Sequence, residues 1–383
     1  MPEVRLKSRR IDLRGELRDP LPGIENVRLR AGYTDYQHQE LEEGVVSTTF
    51  TNEGYDGRIE AQHREIAGFK GVVGLQLSKG GFAAVGEESF LAPSTTKNTG
   101  LFVMEEYELG DWHFEGALRQ EWQEASAIGL ADTEHKPFSI SGSAVWHFMP
   151  GWTGAVSLSR SQRAPSAQEL YADGVHMATN TYEIGDSSLD VETANALELT
   201  LRKTAGSTTA SVSAYHYAYD DYIFARTLDQ FEDFRLIQYS QADATFTGLE
   251  GEVRQQLTPW LSATVFGDYV RGELKGDDGN LPRIPAARLG VRAEAFAGPW
   301  SGDVEYSRTF KQDDIAAFES ETPGYNMVNA TVAYDVDLAG VKSQVFLRGT
   351  NLLDELALNH ASFLADTAPQ RGRNLVLGVR ARF

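Results

Sequence analysis

The chain has 383 residues, too many for one ordinary compact domain, yet no linker divides it. It has no cysteine, which removes disulfides and thiolate metal sites. Its net charge of -20 and pI near 4.8 argue against nucleic acid as a partner, because an acidic surface repels polyphosphate and gathers cations.

Mean hydropathy is -0.35, and no run approaches the roughly 18 apolar residues of a membrane helix. A barrel strand shows lipid only at every second residue, so low mean hydropathy is compatible with one. Met1 is followed by polar, basic sequence without the apolar core of a signal peptide. The chain therefore reads as a piece of a longer precursor.

In chain order, short Pro- and Gly-bearing connections alternate with long polar ones. A tight turn is expected at 19–23, then long loops at 38–50 and 80–96, then a turn at 109–111. Trp112, Phe114, Leu118 and Trp122 follow on one strand face, opposite His113, Glu115, Arg119 and Glu121. A long loop at 123–136, a turn at 149–151 and the longest loop, 161–192, come next. Leu197, Leu199 and Leu201 alternate with Glu198, Thr200 and Arg202 before a long loop at 223–243. A turn at 257–259, a loop at 272–284 and a strand alternating Leu289, Val291, Ala293 and Ala295 with Arg288, Gly290, Arg292 and Glu294 follow. A turn at 297–299, a loop at 311–322, a turn at 338–340, a strand carrying Val345 and Leu347, and a loop at 354–372 lead to the last strand. There Leu375, Leu377, Val379, Ala381 and Phe383 share one face, and Asn374, Val376, Gly378, Arg380 and Arg382 the other.

This period of two predicts an all-β chain, a transmembrane antiparallel β-barrel with turns at one rim and loops at the other. About seventeen strands are expected, an odd number, whereas complete single-chain bacterial barrels have an even one. An odd number of strands is accordingly expected before Met1.

The longest loop reads Arg163-Ala164-Pro165-Ser166-Ala167-Gln168-Glu169-Leu170-Tyr171-Ala172-Asp173-Gly174-Val175-His176 and continues through Tyr182-Glu183-Ile184-Gly185. This resembles the barrel of TonB-dependent outer-membrane receptors, most closely their zinc-uptake (ZnuD-type) branch. Tyr33–His38, Gly86-Glu87-Glu88, Asp221–Ala225, Gly248–Glu252, Gly267–Gly272, Pro282–Gly290, Asn351–Leu353 and Ala361–Thr367 resemble it too, in order. The resemblance implies a 22-stranded barrel with an N-terminal plug, a monomer in outer-membrane lipid that imports a scarce ligand with energy from TonB. Residues 1–383 would be the C-terminal portion of that barrel, with the plug, TonB box, signal peptide and about five strands outside it.

Histidine is the commonest protein ligand of zinc, and carboxylates complete sites without cysteine. The chain has eight histidines. In the zinc branch the loop histidine matching His176 coordinates metal, with a barrel glutamate and two plug residues. His176, Glu87, Glu88 and Asp173 are the candidate metal residues, the alternative being a solvated imidazole and ordinary acidic loop surface. His38 with Glu40, Glu42 and Glu43, Asp132 with Glu134 and His135, and His360 with Asp354 and Glu355 form further patches. These either gather cations weakly or are solvated surface. Asp277-Asp278-Gly279-Asn280 hints at calcium without the spacing of a loop site. His216 and His113 read as lumenal wall, and His63 and His147 have no assigned role.

No nucleophile elbow and no phosphate-binding glycine loop is present, so no catalytic residue and no resident cofactor is expected. Zinc is the expected cargo, and haem, or another metal chelate or siderophore, the rival. Arg163-Ala164-Pro165 and His176 fit the haem-receptor layout, but Gly185-Asp186-Ser187-Ser188-Leu189 lacks that family's Asn-Pro. A fragment without transport activity is the third reading, since an open sheet edge is intolerable in hydrocarbon.

Overall fold

The computed structural model describes residues 3–276, 279–338 and 340–382. The terminal Phe383, the Asp277-Asp278 pair and Ala339 of the expected turn at 338–340 lie outside the described residues. Twenty strands, one helical turn and one 3-10 turn occur among them. Three strands are only three or four residues long: β7 (Thr133–His135), β10 (Asp173–His176) and β11 (Thr181–Ile184). The remaining seventeen are the long strands that the alternation predicts. Among the described residues, no helix is long and apolar enough to cross a membrane.

The chain forms two compact units. The first comprises Met1–Val145, Ser157–Leu197 and Tyr217–Ala244. Its strands β1 (Glu3–Leu21), β2 (Ile24–Glu42), β3 (Val45–His63), β4 (Phe69–Gly86), β5 (Ser94–Leu109) and β6 (Trp112–Ala127) run as one antiparallel meander. Leu29, Ile59, Leu75 and Leu101 are successive partners across four of these strands and form an apolar row on one face. Leu29, Ile59 and Leu101 are exposed. The opposite face is charged. There the Arg58 guanidinium lies 4.3 Å from the Phe102 ring centre, and Arg119 Nη2 is 2.6 Å from Glu121 Oε1. This reverses the order of a water-soluble sheet. Fully burying such a side chain is worth about 1.5–3 kcal/mol, so this row suits an apolar medium.

Two expected loops are strand instead. The segment 38–50 is a hairpin, with His38 opposite Phe50 and Glu40 opposite Thr48. Its tip is only Glu43-Gly44, with φ of 49° and 83°. A two-residue turn with both φ positive matches the strands' own twist, so pairing continues past the apolar band to the tip. The segment 223–243 is likewise strand: β13 (Thr208–Phe231) and β14 (Phe234–Thr258) are separated by Glu232-Asp233, with Glu232 at φ 54°. Polar side chains at these positions do not prevent strand formation, because the ladder is satisfied by the backbone.

The loop 164–191 folds inward rather than standing in solvent. Helix α1 (Ala167–Tyr171) starts at Ser166, whose hydroxyl accepts from the Glu169 amide while the Glu169 carboxylate accepts from the Ser166 amide. Leu170, Tyr171 and Leu189 pack with Phe50, Phe90, Leu91 and Ile223 into the first unit's core.

The second unit comprises Trp146–Val156, Glu198–His216 and Thr245–Phe383. In it β15 (Leu261–Leu274), β16 (Arg288–Ala297), β17 (Trp300–Thr309), β18 (Tyr325–Leu338), β19 (Val341–Thr350) and β20 (Asn374–Arg382) form a second antiparallel meander. The expected faces are found. Leu289, Val291, Leu375, Leu377 and Val379 are exposed. Arg288 pairs with Asp268 at 2.7 Å and Arg292 with Glu305 at 2.6 Å on the other face. Gly378 lies beneath the Phe346 ring, where any Cβ would collide with it.

Candidate functional site

The candidate site lies wholly within the first unit. The β10–β11 hairpin pairs His176 with Thr181 and Gly174 with Glu183. His176 and Glu183 are therefore diagonal neighbours on one face. His176 Nδ1 stands 2.8 Å from Glu183 Oε1. The imidazole also stacks on Phe90, with centroids 4.1 Å apart and planes 8° apart.

His176 lines a cavity of about 560 Å³ together with His38, Glu40, Glu88 and the apolar side chains of Phe50, Phe82, Phe90 and Leu91. Glu88 is only 3% exposed, and its Oε1 accepts from the Ala178 amide at 3.3 Å. Burial raises the Glu88 carboxyl above its ordinary value. The Ala178 amide opposes this, the Glu40 charge adds to it, and the Met177 amide and His176 oppose it more weakly. His38 stacks on Phe50 at 4.4 Å, and its Nε2 is 3.9 Å from Glu40 Oε1.

Glu183 is buried at 1% exposure. Burial alone would raise its carboxyl. Hydrogen bonds from His176, Gln168 and the Tyr239 hydroxyl outweigh that and hold it below its ordinary value.

Of the residues singled out in the sequence, His176 and Glu88 come together on one cavity, and His38 and Glu40 join them. Glu87 is exposed, with its amide on the Ser47 carbonyl. Asp173 is three residues from His176 in a strand, so it points to the opposite face, where it accepts from the Tyr182 hydroxyl at 2.9 Å. Glu42 and Glu43 are exposed. His135 is tied by Nε2 to the Leu189 carbonyl at 3.0 Å. Among the described residues, no group of three or more His, Cys, Asp or Glu stands close enough to hold a metal ion unaided.

In the last patch Asp354 is exposed, but His360 is not open surface. In the second unit His360 is 6% exposed, with Nδ1 3.2 Å from the Thr322 hydroxyl and Nε2 3.7 Å from Glu319. Asp354 accepts from the Arg373 amide, and Glu355 from the Asn326 amide group. His216 bonds Thr247 and His63 bonds Glu105, as wall positions in a hydrogen-bonded sheet.

The sequence reading missed Glu183, Phe90, Gln168 and Tyr239. The short alternation of Tyr182, Glu183 and Ile184 after the loop histidine was the available signal. The Arg163-Ala164-Pro165 motif proves to be a brace. Arg163 reaches Glu169 at 2.8 Å and Glu192 at 3.0 Å, fastening the loop to β9 (Trp152–Arg163) and β12 (Glu192–Lys203).

Solved structures share this fold. The copper transporter OprC superposes with a TM-score of 0.85 at 17% identity, covering 98% of this chain and 65% of that one. The FrpB iron transporter from Neisseria meningitidis (F3-3 variant) gives 0.75 at 15% identity, over 97% and 62%. The ferric citrate transporter FecA gives 0.70 at 17%, over 99% and 62%. The chain thus spans less than two thirds of the length of these structures. The family model described as TonB dependent receptor-like, beta-barrel, matches residues 6–352. With that match across most of its length, the chain belongs to the TonB-dependent receptor β-barrel family.

Proposed function

We propose that these residues form barrel wall and ligand-receiving loops of an outer-membrane receptor that imports zinc, powered by TonB. One observation carries the reading. A histidine held by a buried carboxylate shares a cavity with a second histidine and two further carboxylates, one of them buried. Neutral imidazole and carboxylate are the ligand types zinc takes where thiolates are absent. A plug of the kind the family resemblance implies would supply the TonB contact and further ligands, and with these residues alone water completes the zinc shell. Copper and iron in the names of similar structures support a metal cargo without choosing among metals.

A zinc titration of the purified protein in detergent, followed by calorimetry, tests this. Micromolar or tighter binding that His176→Ala abolishes is the expected result. The apolar wall of Phe50, Phe82, Phe90 and Leu91 favours a second reading, an organic metal chelate such as haem. A Soret shift on haem addition, with no response to zinc, selects that reading.

A further inference from the structure

We infer that Glu183 is the positioning residue of this site: its carboxylate fixes His176 as the Nδ1–H tautomer and leaves the Nε2 lone pair as the atom offered to a ligand. The inference rests on the metal-receptor reading for its purpose, though not for its geometry.

The Glu183 carboxylate is surrounded by donors. Oε1 faces His176 Nδ1 at 2.8 Å and the Thr181 hydroxyl at 3.2 Å. Oε2 accepts from Gln168 Nε2 at 2.7 Å and lies 3.0 Å from the Tyr239 hydroxyl. A carboxylate so surrounded is ionised and has no proton to give. At 2.8 Å the shared proton must then sit on Nδ1. In a neutral imidazole that makes Nε2 the acceptor.

Orientation is fixed in a second direction by the Phe90 ring against the imidazole face. The donors to Glu183 come from distant parts of the chain, Gln168 on α1 and Tyr239 on β14, and β11 itself pairs in parallel with β14. The carboxylate is thus anchored independently of the histidine it holds. A carboxylate on the far nitrogen of a metal-binding imidazole sets the tautomer and raises ligand basicity, and its loss typically weakens metal affinity about 10–100-fold.

The test is nitrogen NMR of the whole chain labelled with ¹⁵N-histidine in detergent near pH 7.5, with His176→Asn identifying the signal, before and after zinc chloride. The expected spectrum shows Nδ1 protonated and Nε2 bare, with zinc shifting Nε2 alone. Glu183→Gln is expected to mix the tautomers and to weaken zinc binding about 10–100-fold. A protonated Nε2 in the unmodified protein, or an unchanged tautomer and zinc affinity in Glu183→Gln, overturns the assignment. A bare Nε2 that ignores zinc sinks the zinc reading and leaves the role of Glu183 standing. The unmodified protein decides the tautomer by itself should Glu183→Gln not fold.

Discussion

His176 is held on two sides at once: Phe90 covers its face at 4.1 Å and Glu183 takes its edge at 2.8 Å. A loop histidine meant only for solvation needs neither contact. Holding both costs side-chain entropy and buries a charge, and a pre-oriented ligand atom is what such an arrangement yields.

Phe90 serves both the site and the core, at 4% exposure. Phe90→Ala is expected to destabilise the first unit by about 3–5 kcal/mol through the cavity it leaves. Thermal unfolding followed by circular dichroism measures this. A loss under about 1 kcal/mol would show that the loop core contributes little.

Arg163 joins two carboxylates that are 16% and 11% exposed, although its own side chain is 44% exposed. With that exposure discounted, Arg163→Ala should cost about 1–2 kcal/mol and free the loop 164–191. Limited proteolysis should then cut within this loop, where the unmodified protein resists. Equal resistance in both would remove the brace from the account.

Two carboxyls at the site respond to pH in opposite senses. Glu183 lies below its ordinary value of 4.5, so its contribution is complete above that pH and lost as pH falls through the depressed value. Glu88 lies above 4.5, so its contribution is present below that pH and lost as pH rises through the raised value. Glu88→Gln is therefore expected to raise the melting temperature of the metal-free protein at pH 8 and to weaken zinc binding. Melting curves with chelator and with zinc read both effects. A Glu88→Gln protein that melts lower without metal contradicts the placement of an incompletely compensated carboxylate here.

Leu347 and Leu377 face each other on adjacent strands and are 49% and 74% exposed. If that face meets acyl chains, Leu377→Arg should destabilise the protein by about 2–4 kcal/mol near the bilayer midplane. Urea titration of protein folded into phosphatidylcholine vesicles gives the value. No change there would contradict a lipid-facing row.

The period-two alternation was legible because side-chain direction in a strand is set by parity alone. Leu289, Val291, Leu375 and Leu377 are all found on the exposed faces assigned to them. The hairpins at 38–50 and 223–243 resemble loops in the sequence because polar residues dominate them. Strand there is maintained by backbone pairing and by turns at Glu43-Gly44 and Glu232-Asp233, which hydropathy does not register. His176 stood out through local pattern, and Glu88 could not be told from Glu87 until one was buried and the other exposed. Glu183 was illegible as a partner because its role depends on Tyr239, 56 residues away, and on the fold that brings it near.

X-ray absorption at the zinc edge of zinc-loaded protein tests the central claim most directly. The account predicts a shell of nitrogen and oxygen near 2.0–2.1 Å with imidazole scattering, which weakens in His176→Ala. Zinc that washes away, or an imidazole signal of undiminished strength in His176→Ala, would contradict it.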